Sequence, residues 1–421
     1  MSFPSPDPTQ LESWEVVLLR MAHAVSLSKP QYELICKRYE TLQAILDAAT
    51  DPVLKDAHIF VQGSIRLQTT TKPPPGATGE IATVDADAVV WLPHAQGASA
   101  IEILQAIERR FRAGVRVETP IELLRRGIRI VYADEKPGFH IDVTPARSAS
   151  GNGQTHGAGN LEVPDRQLGW KPSSPIPYSD WLAFVAEQHV VLAGTEELLQ
   201  RQMVLREATQ DPIPEYEDYV DANPLRAIIK LLKRHRDLWT IRTHSEKARP
   251  ISAVITTLAT QAYLAVLAEH ASGRRSYRPI EAMIEIVDRM SSFAQRGTSG
   301  WQVLNPKNAG ENFAEKWNRP GAEGTAHRQA FVTWHEEACS AMRLGLRDLG
   351  STIAFEDSLI KQFGAERTLL REAMVQLPAN WTLPGRAAGL TANRARLAGL
   401  AGGAAAGRES QAETRPVDRL G

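Results

Sequence analysis

The chain has 421 residues, with 48 lysines and arginines against 49 aspartates and glutamates, so its formal net charge is −1. That length is enough for more than one lobe with a sizeable core. Proteins that bind along a nucleic-acid backbone usually carry a basic excess, so we expect this chain to meet a polyanion only through a local basic cluster. The two cysteines, Cys36 and Cys339, lie far apart, which excludes a disulfide framework and a zinc site and favours a reducing cytoplasm.

Neither a secretion signal nor a membrane span is expected. The opening residues, MSFPSPDPTQ, lack the basic and apolar regions of a signal peptide. The most apolar stretch runs from Val254 to Ala268 and is interrupted by threonines and a glutamine, too short and too polar to cross a bilayer. We therefore predict a cytoplasmic protein without a membrane partner.

The first third of the chain predicts helices followed by a small mixed α/β lobe. Helical spacing of apolar residues from about Leu11 to Thr50, broken by Ser-Lys-Pro, predicts two helices. Short β-type runs follow at 58–64, 84–92, 127–133 and 138–146, with a helical stretch at 98–111. Residues 148–160 are rich in glycine, serine and asparagine and predict a mobile surface loop.

Beyond Tyr178 the pattern predicts a second, all-α lobe. Candidate helices lie near 179–207, 223–240, 251–270, 278–293, 311–318, 325–347 and 359–376. From Pro384 onward small residues and arginine dominate, and such a tail is expected to be disordered because few large apolar side chains offset its entropy. The predicted organisation is N-terminal helices packing across the lobes at 1–50, an α/β catalytic core at 51–178, a helical lobe at 179–380 and a flexible tail at 381–421.

Two carboxylates in the run VDADAVV, Asp85 and Asp87, are the most informative feature. On a strand, residues i and i+2 point to the same face, so the two side chains project together. Adjacent carboxylates repel unless a cation lies between them, and Mg²⁺ is typically bound by one or two carboxylates plus substrate phosphates. For this pair alone, a solvated strand end is the simpler alternative, because the pattern is common by chance.

Gly63-Ser64 and Asp142 strengthen the interpretation. The strand-like HIFVQ runs directly into Gly63-Ser64, and such a junction lets backbone N–H groups and a hydroxyl approach phosphate oxygens. Asp142 has apolar neighbours in FHIDVTP, so it should be largely buried and need a partner or a metal. This layout is that of the nucleotidyltransferase fold shared with DNA polymerase β. It predicts an α+β protein, with a polymerase-β-like lobe built on a mixed sheet and a C-terminal α-helical lobe.

The sequence resembles a specific family, the cGAS/DncV-like nucleotidyltransferases (CD-NTases) of bacterial CBASS anti-phage systems. The resemblance covers most of residues 50–320, in the right order. It rests on QGSIRLQTTTKP (62–73), VDADAVVWL (84–92), FHIDVTPA (139–146), LEVPDRQLGWKPSSP (161–175), PLRAIIKLLKRHRD (224–237), ISAVITTLATQAY (251–263) and VLNPKNAGENFAEKW (303–317).

The resemblance implies a role for each matched position. Three aspartates would ligate two Mg²⁺ ions, for which Mn²⁺ could substitute, and five residues would bind the nucleotide. The metal ligands and catalytic residues would be Asp85, Asp87 and Asp142, and the nucleotide-binding residues Gln62, Gly63, Ser64, Lys233 and Ser252.

The helix predicted at 223–237 carries the required basic cluster. Lys233 falls at the edge of its apolar stripe, from which it can reach into a cleft while its stem stays packed. Lys230 and Arg234 are expected to point outward as a solvated face, whereas Arg236 falls within the stripe and should pair with a carboxylate. The basic residues continue through Arg242, Lys247 and Arg249 to Ser252.

Other candidates favour structural roles. We place His140 on the strand face opposite Asp142 and interpret it as structural. The aromatic residues Tyr178, Trp181 and Tyr263 are expected to pack in the core rather than to stack on a purine. In ENFAEKW, Glu311 and Asn312 are interpreted as helix-start residues.

The resemblance implies a Mg²⁺-dependent enzyme that joins purine nucleoside triphosphates, ATP and GTP, into a cyclic di- or trinucleotide second messenger. Pyrophosphate would be released, and the product would reach a downstream effector in anti-phage signalling. Two alternatives stay open, a template-independent nucleotidyltransferase making linear oligonucleotides and a catalytically silent nucleotide-binding scaffold. The charge balance and the absence of a Cys/His cluster disfavour activation by long nucleic acid.

The arginine-rich tail ending in Gly421 suggests a conjugation site. A flexible C-terminal glycine can enter the active site of an E1/E2-like conjugating protein, and such a partner acts on cyclases in some CBASS systems. A plain disordered tail is an equally good interpretation.

Overall fold

The structure, a computed structural model, describes residues 7–115, 119–132, 138–149, 157–188, 223–387 and 389–394. The chain divides into two compact units: residues 1–20, 343–361 and 365–421 in one, and residues 21–342 and 362–364 in the other. The larger unit contains every predicted site residue except Gly421, which lies outside the described residues. The division between the lobes at residue 178 stays a prediction.

The helices and strands have the following bounds. The helices are α1 (Pro8–Val25), α2 (Lys29–Asp47), α3 (Gly63–Arg66), α4 (Ala100–Gly114), α5 (Pro175–Glu187), α6 (Pro224–Thr243), α7 (Ser252–Ala271), α8 (Pro279–Met290), α9 (Ala322–Ala341), α10 (Thr352–Phe363) and α11 (Arg367–Val375). The strands are β1 (His58–Gln62), β2 (Val84–Trp91), β3 (Ile121–Leu123), β4 (Ile128–Tyr132), β5 (Phe139–Ser148), β6 (Leu161–Asp165), β7 (Gly169–Ser173), β8 (Gln295–Gly297), β9 (Gly300–Gln302), β10 (Leu304–Asn305) and β11 (Asn308–Asn312).

The larger unit is built on a mixed sheet with the strand order β1-β2-β5-β4-β3, and β6 and β7 extend it from the end of β5. The β2–β5 pair is parallel, and the other pairs are antiparallel. A parallel pair needs a long crossover, which α4 and the β3–β4 hairpin provide. The predicted mixed sheet and the helical C-terminal region are confirmed.

Alternation along the central strands separates a packing face from a polar face. On β2, Ala86 and Ala88 are fully buried, whereas the intervening Asp87 is half-buried. On β5, Ile141 and Val143 face the same core. Helices α2 and α4 cover this face with large apolar side chains spaced one turn apart, including Ile103, Ile107 and Phe111. The packing fixes the register, because a one-residue slip would move the carboxylates into the core.

Two β-hairpins interrupt the predicted helical lobe. Strands β8 and β9 form one hairpin, and β10 and β11 form the other. The helix predicted at 311–318 is therefore wrong, because Glu311 and Asn312 lie on β11 and only a 3₁₀ turn follows at Glu315–Asn318. The Asn312 side chain accepts hydrogen bonds from the backbone N–H groups of Val303 and Ala314, which favours a hairpin over a helix. Most of the helix predicted at 179–207 lies outside the described residues.

Helix α7 is longer than the apolar stretch predicted from the sequence. Its 20 residues are long and apolar enough to cross a membrane by length and composition, yet 61% of the helix's most apolar stretch is buried inside the structure.

The smaller unit includes the first part of α1 and residues near the C-terminus. Trp14 packs edge-on against Phe355, with the ring centroids 5.9 Å apart. Part of the segment predicted as a flexible tail is structured here, because Leu383 and Ala392 are buried together with Leu377. Residues 395–421 lie outside the described residues.

A buried aspartate ties the β6–β7 turn to the turn between β3 and β4. The Asp165 carboxylate forms ion pairs with Arg125 and Arg126. It also accepts hydrogen bonds from the backbone N–H groups of Gln167 and Leu168, at 2.9 and 3.1 Å. Burial would raise the pKa of Asp165, but these donors together lower it to about 2.

We expect Asp165→Asn to lower the free energy of unfolding by about 1–3 kcal/mol, because two guanidinium groups lose their buried partner. The carboxylate is stabilising above about pH 4, and its contribution is lost as the pH falls through the folded-state pKa near 2. Urea unfolding of wild type and variant at pH 7 and at pH 2.5 tests this. A difference in unfolding free energy that does not shrink at the lower pH would contradict the assignment.

Candidate active site

A row of polar residues crosses four strands at one level of the sheet. Gln62 pairs with Asp87, Asp87 with Asp142, and Asp142 with Arg129. Directly paired residues on neighbouring strands point to the same face, so these side chains share the polar face. The two strands carrying the predicted carboxylates are thus adjacent and in register.

Asp85 lies on the same face, one row away, and is held by His140. His140 Nε2 lies 2.9 Å from Asp85 Oδ1, and its Nδ1 lies 3.0 Å from Thr83 Oγ1. Burial would raise the pKa of Asp85, but the hydrogen bond and charge of His140 hold it below its usual value. The expectation that His140 faces away from Asp142 is wrong: positions i and i+2 of a strand share a face, and the nearest atoms are 4.0 Å apart.

Asp142 is held by Arg129 in a two-pronged ion pair. Arg129 Nε donates to Oδ1 at 2.7 Å and Nη2 donates to Oδ2 at 2.9 Å. The carboxylate is mostly buried, as predicted, and burial raises its pKa, although the Arg129 hydrogen bonds oppose this. The same hydrogen bonds raise the pKa of Arg129.

Asp87 is the carboxylate with the least compensation. Burial, followed by repulsion from Asp85 and then Asp142, raises its pKa well above the ordinary value. Its carboxylate lies directly against Gly63, where an added Cβ would be 1.9 Å from Asp87 Oδ2. Gly63 also has a φ of +61°, so this position requires glycine for both conformation and space.

Ser64 follows in the single turn of α3 and faces the same carboxylates. Its hydroxyl accepts a hydrogen bond from Thr70 Oγ1 at 2.9 Å and lies 3.4 Å from the Asp85 carbonyl oxygen. The backbone N–H of Thr69 donates to the Ser64 carbonyl at 2.9 Å. The threonine segment therefore folds back over the Gly63-Ser64 turn and fixes its position.

Helix α6 is buried on nearly every side, which corrects the predicted solvated basic face. Lys230 and Arg234 are each 2% exposed. Lys230 donates to Ser26 Oγ at 3.0 Å, and Arg234 donates to the Lys72 carbonyl at 2.7 Å. A helical wheel reveals the apolar stripe but not the carbonyls and hydroxyls that other segments supply to the polar side.

Lys233 and Ser252 both line the cavity above the carboxylates, and their nucleotide binding stays a prediction. Lys233 Nζ donates to the Thr69 carbonyl at 2.9 Å, and burial, followed by the charge of Arg236, lowers its pKa to about 8. Ser252 begins α7, and its hydroxyl accepts a hydrogen bond from Arg236 at 2.9 Å. Arg236 also pairs with Asp237, so its predicted carboxylate partner is confirmed.

The cavity has a volume of about 410 Å³ and is lined from the sheet and from α6 and α7. Its lining includes the predicted Gln62, Gly63, Ser64, Asp85, Asp87, Lys233 and Ser252. Arg249 also lines it, whereas Arg242 instead donates to Glu337 at 3.0 Å. Tyr178 is buried with its hydroxyl 2.8 Å from Thr257 Oγ1, and its ring also reaches the cavity wall.

The donor set fits a divalent cation. Ligand atoms of Asp85, His140 and Asp142 all lie within 4.8 Å of one another. Asp87 lies in the same register row as Asp142, and the repulsion that raises its pKa is what a bound cation would relieve. Oxygen donors of this kind suit Mg²⁺ or Mn²⁺.

Arg129 and His140 are site residues that the sequence interpretation missed. Strand alternation alone places His140 with Asp142, so that signal was present. Arg129 could be assigned only from the pairing of β4 with β5, which the sequence does not reveal.

The mixed sheet, the Gly63-Ser64 turn and the facing helices give the predicted nucleotidyltransferase layout its geometry. Residues 16–185 match the model of the Second Messenger Oligonucleotide or Dinucleotide Synthetase (SMODS) domain. No curated protein matches the sequence.

The fold is shared with a solved structure, and two further structures match more weakly. The Bradyrhizobium diazoefficiens CD-NTase CdnG, in complex with GTP, matches with a TM-score of 0.59 at 19% identity, over 86% of this chain and 98% of that chain. DncV from Escherichia coli, in its 3′-deoxy GTP bound form, matches with a TM-score of 0.47 at 15% identity, over 86% of this chain and 90% of that chain. Apo DncV from Vibrio cholerae matches with a TM-score of 0.45 at 15% identity, over 86% of this chain and 88% of that chain. The domain match and the CdnG fold confirm the resemblance to the CD-NTases.

We expect Gly63→Ala to lower kcat/KM roughly 100-fold, because the methyl group displaces the Asp87 carboxylate. The left-handed backbone adds strain of about 1–2 kcal/mol. Gly273→Ala is the matched control, since φ there is +67° and no atom lies within 4 Å of the added Cβ. Equal effects of both substitutions on kcat/KM would show that backbone strain alone matters at Gly63.

Lys233 should impose a pH limit on substrate capture. With a pKa of about 8, its positive charge is lost as the pH rises through that value, and kcat/KM for ATP should then fall by up to about tenfold per pH unit. In Lys233→Arg the charge persists, and the alkaline fall should disappear up to pH 10. Identical alkaline limbs in the two kcat/KM profiles would refute this role.

Proposed function

We propose that this protein is a Mg²⁺-dependent cyclic oligonucleotide synthase. It joins purine nucleoside triphosphates, ATP and GTP, into a cyclic di- or trinucleotide with release of pyrophosphate, as a second messenger in anti-phage defence. The observation that carries the proposal is the register row that aligns Asp87 with Asp142 beside Asp85 and the Gly63-Ser64 turn. The SMODS domain supports the reaction class, and the GTP complex of CdnG motivates the choice of GTP.

The triphosphate is bound between the sheet and the helices. Gln62, Gly63 and Ser64 offer backbone N–H groups and a hydroxyl at the floor of the cavity, beside the carboxylates. From the opposite wall, Lys233 offers an ammonium group and Ser252 a hydroxyl. Lys233 is held by one carbonyl oxygen, so its ammonium group retains N–H donors for phosphate oxygens.

Three aspartates handle the charge of the reaction. Asp85, Asp87 and Asp142 would hold two Mg²⁺ ions, for which Mn²⁺ could substitute; the ions would lower the pKa of an attacking hydroxyl and neutralise the leaving pyrophosphate. Asp142 orients the 2′- or 3′-hydroxyl of the acceptor nucleotide. Asp85 is kept ionised by His140, and Asp87 faces the Gly63-Ser64 turn where the triphosphate binds.

Each chemical step forms one phosphodiester bond and releases one pyrophosphate. The acceptor hydroxyl attacks the α-phosphorus of the donor triphosphate, and the bond to the β-phosphate oxygen breaks. The linear product then reorients in the same cavity. Its free hydroxyl attacks the α-phosphorus of its remaining triphosphate, which closes the ring and releases pyrophosphate. A linear-product nucleotidyltransferase would share the first step only, and a silent scaffold would share neither.

Product analysis tests the proposal. The purified chain with α-labelled ATP and GTP and Mg²⁺ should give a product that resists phosphatase, with the mass of a cyclic di- or trinucleotide. The double variant Asp85→Asn/Asp87→Asn should lose at least roughly 10³-fold in rate, because the charge that holds the metal is removed. Asp56→Asn is the matched control, since its exposed carboxylate pairs with His94 away from the cavity.

Each alternative has its own outcome in this experiment. A phosphatase-sensitive product of wild type would identify a linear-product enzyme. Binding of ATP without any product, equal in wild type and the double variant, would identify the silent scaffold.

Two partners stay predictions. Gly421, the candidate site for an E1/E2-like conjugating protein, lies outside the described residues. The downstream effector is proposed only through the cyclic product. Cytoplasmic localisation fits the buried position of α7 and stays a proposal.

A further inference from the structure

The pairing of Arg129 with Asp142 uses the oxygens that a metal ion needs. Both carboxylate oxygens of Asp142 accept hydrogen bonds from the guanidinium, at 2.7 and 2.9 Å. A guanidinium held in this way puts its positive charge close to the position that a metal ion bound by Asp142 would occupy. Two positive charges beside one carboxylate repel each other, so the guanidinium and a metal ion oppose each other's binding.

The pair is rigidly placed by the fold. Arg129 and Asp142 are direct partners in the antiparallel β4–β5 pair, and both side chains are mostly buried, at 16% and 19% exposed. The backbone pairing and the burial thus hold the guanidinium against Asp142, beside three mutually repelling carboxylates.

A second acceptor for the guanidinium lies at the rim of the same cavity. Glu80, on the 3₁₀ turn before β2, has its Oε1 3.4 Å from Arg129 Nη1. Its side chain is 76% exposed, so it can follow the guanidinium without losing other contacts of the core. Arg129 thus already contacts both carboxylates, one tightly and one loosely.

We propose that Arg129 is an exchangeable counter-ion: it holds Asp142 in the metal-free protein and transfers to Glu80 when a divalent cation binds. This inference rests on the proposed function, because it takes the aspartates as the metal site. Arg129 acts as a positioning residue that orients the Asp142 carboxylate. Glu80 is the residue that accepts it.

The test measures Mn²⁺ binding without nucleotide, by electron paramagnetic resonance of the free ion, on the full chain. Arg129→Gln should bind Mn²⁺ roughly tenfold more tightly, because a positive charge beside the site is removed. Glu80→Gln should bind it a few-fold more weakly, because the displaced guanidinium loses its acceptor. In the Arg129→Gln background, Glu80→Gln should have no effect.

Arg109→Gln is the matched control, since that exposed arginine pairs with Asp51 on another surface. If Arg129→Gln fails to fold by circular dichroism, Arg129→Lys replaces it and should bind Mn²⁺ with an intermediate affinity, because lysine makes a single contact. Unchanged or weaker binding in the Arg129 variants, or a Glu80→Gln effect that persists without Arg129, would overturn the exchange while leaving the proposed function intact. Absence of Mn²⁺ binding by wild type in this assay would overturn the exchange, whereas the proposed function is decided by the product analysis above.

Discussion

Mutual repulsion of three carboxylates on one face of a sheet is the constraint on which the rest of the site depends. The three carboxylates are compensated differently. Asp85 is paired with the His140 imidazole and Asp142 with the Arg129 guanidinium, whereas burial and the other two carboxylates raise the pKa of Asp87. A metal-free site of this kind holds electrostatic repulsion that a bound divalent cation would relieve.

The helical side of the cavity contains buried positive charges instead of carboxylates. Helix α6 buries a run of basic residues that would be expensive without acceptors. Carbonyl oxygens of Thr69 and Lys72 provide them, so the segment after the Gly63-Ser64 turn fixes both the turn and the helix. One short stretch of chain thereby sets the distance between the floor of the cavity and its basic wall.

The sequence predicted the local parts of this arrangement well. Period-two alternation was enough to place Asp85 and Asp87 together, and the strand-to-turn junction marked Gly63-Ser64. The misplacement of His140 was an error of applying that same alternation, not a lack of signal.

Features that depend on distant partners could not be predicted from the sequence. The pairing of Arg129 with Asp142 exists only through the β4–β5 register. The burial of Lys230 and Arg234 exists only because Ser26 and Lys72 reach them. The hairpin of β10 and β11 stands where a helix was predicted, because the Asn312 side chain accepts hydrogen bonds from backbone N–H groups there.

The order of the segments along the chain has a consequence for biosynthesis. Strands β1, β2 and β5 precede helices α6 and α7, so the acidic face is translated well before its basic wall. A nascent chain that has released only the strands therefore carries the three aspartates and Arg129 but not yet Lys233 or Ser252. The cavity gains its basic wall only after α6 and α7 have been translated.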